Sequence, residues 1–168
     1  MVSFATIVVL DAVAGPRQLP VLAQGLVDEP AHLLTAWLFL TALMPSGTHR
    51  LVPWALIGSM AVDVDHIPMY LWGVGTADGG RPVTHSLGFV IVLLATSLLV
   101  PRLRIPLSGL GIGVLLHLVR DLASGPGVPL LWPAQDERVL VPYAAYVTTL
   151  ALVTVAAALR RTANVSRR

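Results

Sequence analysis

Four of the five histidines and five of the nine acidic residues fall in a few short polar clusters within an otherwise apolar chain. The clusters read Asp28-Glu29-Pro30-Ala31-His32, Asp63-Val64-Asp65-His66, Arg81-Pro82-Val83-Thr84-His85-Ser86 and His117-Leu118-Val119-Arg120-Asp121, with Trp132-Pro133 downstream. Carboxylate and imidazole are the donors that bind zinc and related divalent ions. Ionisable groups inside apolar helices are costly unless they are paired, metal-bound or facing a polar cavity. Their density here points to a metal site inside a membrane protein.

His117 and Asp121 are spaced i,i+4 and share a helix face. That spacing suits two ligands of one ion and equally an internal His–Asp hydrogen bond that glues helices. Asp63 and His66 share a face at i,i+3, whereas Asp65 joins them only if the helix unwinds, and Pro68 suggests that it ends there. Asp28 and His32 repeat the i,i+4 geometry around the kink expected at Pro30, with Glu29 beside them; a Pro-induced break with solvated polar groups is the rival. Thr84 is a candidate N-cap, His85 a ligand or general acid, and Arg81 a clamp for an anionic group. Arg120 either pairs with an acidic neighbour or faces a phosphate. His49 reads as interfacial, and Asp11, Asp78, Asp136 and Glu137 stand apart from any constellation.

The elements that must position these residues are helices. Of 168 residues, 55% are hydrophobic and 12% charged, with mean hydropathy +0.78. Soluble domains carry about 25% charge, so the balance is that of an integral membrane protein. The expected fold is a single all-α domain over 1–168, a polytopic bundle of about six helices, some short or half-spanning. The apolar runs are 2–14, 19–44, 51–65, 86–100, 107–123 and 139–159, with a frayed basic tail over 160–168. Only 19–44 and 139–159 cleanly reach the ~20 residues of a span. Trp54, Trp72, Trp132 and Tyr143 suit an aromatic belt.

The net charge is only +2 and all eleven basic residues are arginine. They gather at helix ends and the C-terminus rather than along a face, which argues against nucleic acid. The absence of cysteine excludes thiolate ligands and disulfides, and Met1–Leu10 lacks the basic start of a cleaved signal. Arg102, Arg104, Arg160, Arg161, Arg167 and Arg168 predict a cytoplasmic side and cytoplasmic termini. Every polar cluster then falls in one layer on the extracytoplasmic side.

The order of motifs resembles the YdjM-type family, LexA-regulated inner-membrane proteins classed as metal-dependent hydrolases. Gly58–His66 is similar to that family's Gly-(small/apolar)-Pro-Asp-x-Asp-His segment, with Val62 in place of the proline. Arg81–Ser86 is similar to its His-Arg-x-x-Thr-His-Ser segment, with Gly80 in place of the first histidine. His117–Asp121 followed by Leu131-Trp132-Pro133 is similar to its His-x-x-x-Asp and Trp-Pro segments. The resemblance covers roughly 28–133 and implies a hydrolase without naming a substrate.

Together these readings predict a membrane metalloenzyme. The expected ligands are His32, Asp63, Asp65, His66, His85, His117 and Asp121, holding one or two divalent ions, zinc first and manganese or iron next. Asp28 or Glu29 is the expected general base, with Arg81 or Arg120 on the phosphate of a lipid or lipid-linked phosphoester in the outer leaflet. An ion- or proton-coupled carrier using the same Asp/His cluster is the rival from another class. A structural membrane protein glued by His/Asp pairs is the third reading. The oligomeric state is left open.

Overall fold

The computed structural model describes residues 2–14, 21–45, 47–72 and 81–165. Seven α-helical segments follow in order: α1 (Val2–Ala14), α2 (Val21–Leu43), α3 (Val52–Ala61), α4 (His66–Trp72), α5 (Leu87–Leu99), α6 (Arg104–Asp121) and α7 (Tyr143–Val165). Short 3₁₀ turns span Val62–Asp65 and Pro101–Leu103. Among the described residues the one β feature is a bridge between Val128 and Val139. The bundle is thus all-helical, as expected for a chain that must satisfy its backbone polar groups internally in lipid.

The third expected helix does not unwind at Asp65. Ala61, Val62 and His66 all keep right-handed helical dihedrals. The rod therefore tightens to 3₁₀ over Val62–Asp65 and continues as α4 to Trp72. Pro68 is tolerated because it sits in the first turn of α4, where its missing N–H would lack an α-helical partner. A 3₁₀ turn eclipses side chains at i and i+3, so it gathers Asp63, Asp65 and His66 instead of dispersing them. Pro30 likewise lies inside a continuous α2.

Other boundaries differ for local reasons. Pro101–Leu103 joins α6 to give a 21-residue apolar stretch, Pro101–Asp121, long enough to cross a membrane. Tyr143–Ala163 also qualifies, so the run expected over 107–123 reaches span length and the run over 139–159 starts later. Val139 is held instead by two backbone hydrogen bonds with Val128. Arg160 and Arg161 lie within α7 rather than in a frayed tail, and the Arg160 guanidinium caps the Ala42 carbonyl at the end of α2. Ser86, not Thr84, caps α5, its hydroxyl accepting from the Phe89 N–H. Asp78, Gly80, Arg167 and Arg168 lie outside the described residues.

The most extensive helix contact is α3 against α6. Gly109 and Gly113, four apart on α6, face Trp54, Ala55 and Gly58 of α3 with no room for a side chain. Small residues at this spacing let transmembrane backbones approach closely. One apolar cluster, with Ile7, Leu38, Tyr146 and Leu150, ties α1, α2 and α7 together. Another, with Val90, Val114, Leu118 and Val128, packs α5 and α6 under the 124–142 segment.

Candidate metal centre

The close crossing of α3 and α6 has a chemical result. It places the Ser59 carbonyl 2.8 Å from Nδ1 of the fully buried His117. A carbonyl only accepts, so Nδ1 carries the proton and Nε2 of the neutral ring presents a lone pair. That Nε2 lies 2.9 Å from Asp121 Oδ2 and 3.5 Å from Asp63 Oδ1. It makes a hydrogen bond to neither. A lone pair aimed at two carboxylates is an arrangement that suits a metal ion among them.

Asp63 is the hub of the cluster. Its Oδ1 stands 3.2 Å from His66 Nδ1, 3.1 Å from His85 Nε2 and 3.5 Å from His117 Nε2. Asp65 reaches His66 Nδ1 at 3.1 Å and His85 Nδ1 at 3.3 Å, while His85 Nε2 lies 3.6 Å from Asp121 Oδ2. The residues come from the 3₁₀ turn, the start of α4, the segment before α5 and the last turn of α6.

Helix α2 closes the remaining side. The His32 ring stacks on His117, centroids 3.7 Å apart and 6° from parallel, and its Nε2 lies 3.4 Å from Asp121 Oδ1. Arg120 is bonded to Asp28 through one terminal nitrogen and to Asp11 Oδ1 through the other at 2.6 Å. Arg81 binds Asp121 Oδ2 at 2.7 Å and reaches the Ser124 carbonyl at 3.4 Å. Glu29 adjoins Asp63, and its buried Oε2 has no hydrogen-bond partner.

The donor set suits a divalent ion. With metal–donor distances of about 2.0–2.2 Å, tetrahedral ligand atoms stand about 3.3–3.6 Å apart. The N–O separations above run from 2.9 to 3.6 Å. Among the described residues three overlapping groups keep their donor atoms within 4.8 Å: Asp63, Asp65, His66 and His85; His32, Asp63 and His117; and His85, His117 and Asp121. His85 lies outside the membrane-spanning helices. Burial disfavours its charged form, but hydrogen bonding to Asp63 and Asp65 outweighs this and raises its pKa above the ordinary imidazole value. The raised value is that of a ring surrounded by carboxylates with no metal to balance them.

A cavity of about 590 Å³ opens beside the cluster, lined in part by His66, Arg81, Asp28, Arg120 and Met69. All seven expected ligand positions thus converge, with Asp28, Glu29 and Arg81 around them. Arg120 is committed to two carboxylates, and Arg81 to Asp121 and the Ser124 carbonyl. Asp11 stands apart in sequence yet joins the site wall, and Tyr143 Oη donates to its Oδ2 at 3.0 Å. The signal was present: an acidic residue in a 13-residue apolar helix demands a partner. The Gly109-xxx-Gly113 spacing was the corresponding signal for the α3–α6 contact.

Residues 28–168 match the family model described as YdjM inner membrane protein. Over 99 residues the chain is 38% identical to Inner membrane protein YdjM of Escherichia coli (strain K12), covering 51% of this chain and 50% of that one. The protein of the same name from Shigella flexneri matches to the same extent, so the chain spans about half the length of the curated relatives it matches. No solved structure matches. The matched segment contains every residue of the imidazole–carboxylate cluster, and the chain belongs to the YdjM inner membrane protein family.

Proposed function

We propose that the protein is a membrane-embedded, metal-dependent hydrolase acting on a lipid or lipid-linked phosphoester at the extracytoplasmic leaflet. The observation that carries this reading is the His117 Nε2 lone pair, aimed at Asp63 and Asp121 by the Ser59 carbonyl. Carboxylates outnumber the arginines Arg81 and Arg120 around the site, and Asp63 is common to two of the donor groups, so one or two divalent ions can be held. Zinc suits the mixed imidazole and carboxylate donors, with manganese or iron next.

A bound divalent ion would supply Lewis acidity and would make water acidic enough to react near neutral pH. The chain supplies the rest. Glu29, beside Asp63, takes the proton of the attacking water as the new P–O bond forms; the ester P–O bond breaks and the departing oxygen takes a proton from water. Arg81 offers a guanidinium on the cavity side to the phosphoryl oxygens. Asp28 holds Arg120 and is a weaker candidate for the base. His117 and Arg104 are thirteen residues apart on α6, about 20 Å at the helical rise. That distance supports a site at the end of the bundle away from the arginine-rich face, the side the positive-inside rule assigns to the exterior.

The test uses purified protein in detergent, freed of metal by a chelator and reloaded with zinc or manganese, assayed on p-nitrophenyl phosphate and glycerophospholipids. Turnover that vanishes with the chelator and returns with one ion is the expected result. Chelator-resistant turnover overturns the reading. So does ion flux in proteoliposomes that is driven by a pH gradient and indifferent to the chelator, which would install a carrier in its place.

A further inference from the structure

Arg120 is divided between two carboxylates on different helices. Its NH1 is bonded to Asp28 Oδ1 and stands 3.2 Å from His32 Nε2, and its NH2 donates to Asp11 Oδ1 at 2.6 Å. Asp11 is itself held, since Tyr143 Oη donates to its other oxygen at 3.0 Å. Both Arg120 and Asp121 are buried, and His32 Nε2 is 3.4 Å from Asp121 Oδ1. A guanidinium released from Asp11 would therefore lie one ring away from the metal-facing carboxylate. Arginine binds carboxylates through a rigid fork, so a freed Arg120 would compete with a divalent ion for that carboxylate. Helix α1 precedes the matched segment 28–168, and nothing in the ligand cluster comes from it.

We propose that Asp11 is a positioning residue of the metal centre: by anchoring one nitrogen of Arg120 it keeps the guanidinium on the edge of the site and out of the donor set. The role rests on the metal-dependent reading above. It also makes α1, through Asp11 and Ala14, a wall of the cavity that His66 and Arg81 line.

The test is zinc affinity of the full chain in detergent, measured by competition with a chromogenic chelator, alongside the unfolding temperature of the metal-free protein. Partners that orient ligands from outside the coordination sphere commonly carry 10–100-fold in affinity. Asp11→Asn should weaken zinc binding about tenfold at the low end of that range, and Asp11→Glu should restore most of it. In an Arg120→Gln background Asp11→Asn should add less than about twofold, because the group to be positioned is gone. Tyr143→Phe, which leaves Asp11 in place, should shift affinity in the same direction by a smaller factor, so the proposal remains testable should Asp11→Asn not fold. Wild-type zinc affinity in Asp11→Asn overturns the proposal, as does an equal loss with and without Arg120, which would mean only that α1 had come loose. A wild-type chain that binds no zinc overturns the metal reading and this role together.

Discussion

Gly113 of α6 lies against Gly58 of α3 so closely that a Cβ on Gly113 would stand 2.8 Å from the Gly58 Cα. The same crossing carries the hydrogen bond from His117 to the Ser59 carbonyl. Packing and ligand orientation are therefore one feature at this contact.

Gly113→Ala should push the helices apart and affect both. Overpacking a tight core costs about 1–3 kcal/mol, and loss of the carbonyl that orients His117 should weaken zinc binding about 10–100-fold. Thermal unfolding in detergent and a zinc titration check the two effects. Gly25→Ala is the control: beyond its own chain neighbours and the adjoining backbone of α2, no atom lies within 4 Å of the added carbon, so it should be neutral or stabilising by up to about 1 kcal/mol.

Asp63 and Asp65 differ by two positions but not in weight. Asp63 belongs to two of the three donor groups, and Asp65 to one. Asp63→Ala should leave only the ion held by His85, His117 and Asp121, whereas Asp65→Ala should also keep the group of His32, Asp63 and His117. Metal analysis of the purified variants decides this, and equal stoichiometry in the two would contradict the shared role of Asp63.

The raised pKa of His85 gives the pH dependence a sign. Without metal, the protonated ring stabilises the fold below the unfolded-state imidazole value of about 6.5, and that contribution is lost as pH rises through the higher folded value. Metal-free protein should therefore lose thermal stability above about pH 6.5. Zinc affinity should move the other way, rising with pH, because a ligand imidazole must shed its proton. Calorimetric titrations in two buffers of different ionisation enthalpy should reveal the released protons.

Glu29→Gln should retain zinc yet lose about 10²–10⁴-fold in turnover, the usual weight of a general base. Loss of metal instead of turnover would make Glu29 a ligand. The measurement pairs metal content with the phosphoester assay.

Orientation can be read by labelling, since the chain has no cysteine. Cysteines placed at Gln135 and Arg102, both exposed, should differ. The first should react with an impermeant maleimide in intact cells and the second only after permeabilisation. The reverse pattern would move the site to the cytoplasmic leaflet.

What the sequence made legible was local. His117 and Asp121 announce a shared face by their spacing, and Asp63 and His66 do the same, so the ligand cluster follows from periodicity and the cost of buried charge. Boundaries set by distant partners were not legible. Val139 leaves the last helix because it pairs with Val128, and Ser86 rather than Thr84 caps α5 through the Phe89 amide. Asp11 finds Arg120 across 109 positions, a relation that no window along the chain contains. At Val62–Asp65 the expectation of a helix end gave way to a tightened turn, because both conformations suit the same residues and neighbouring helices choose between them.

The donor groups are drawn from α2, the Val62–Asp65 turn, the start of α4, the segment before α5 and the end of α6, and this has a consequence for biogenesis. No fragment that emerges early from the ribosome holds a full donor group: His32, Asp63 and His117 need α6, and Asp63, Asp65, His66 and His85 need the chain through the start of α5. On the metal-dependent reading, a full donor group first exists when about half of the chain has been made, and all three only once α6 has emerged. Until then the carboxylates of nascent α2 and of the Val62–Asp65 turn must be shielded by protons, by water or by the insertion machinery. Cells starved of the ion would thus accumulate an inserted bundle that lacks only its charge balance, a species that quality-control proteases could distinguish from the finished protein.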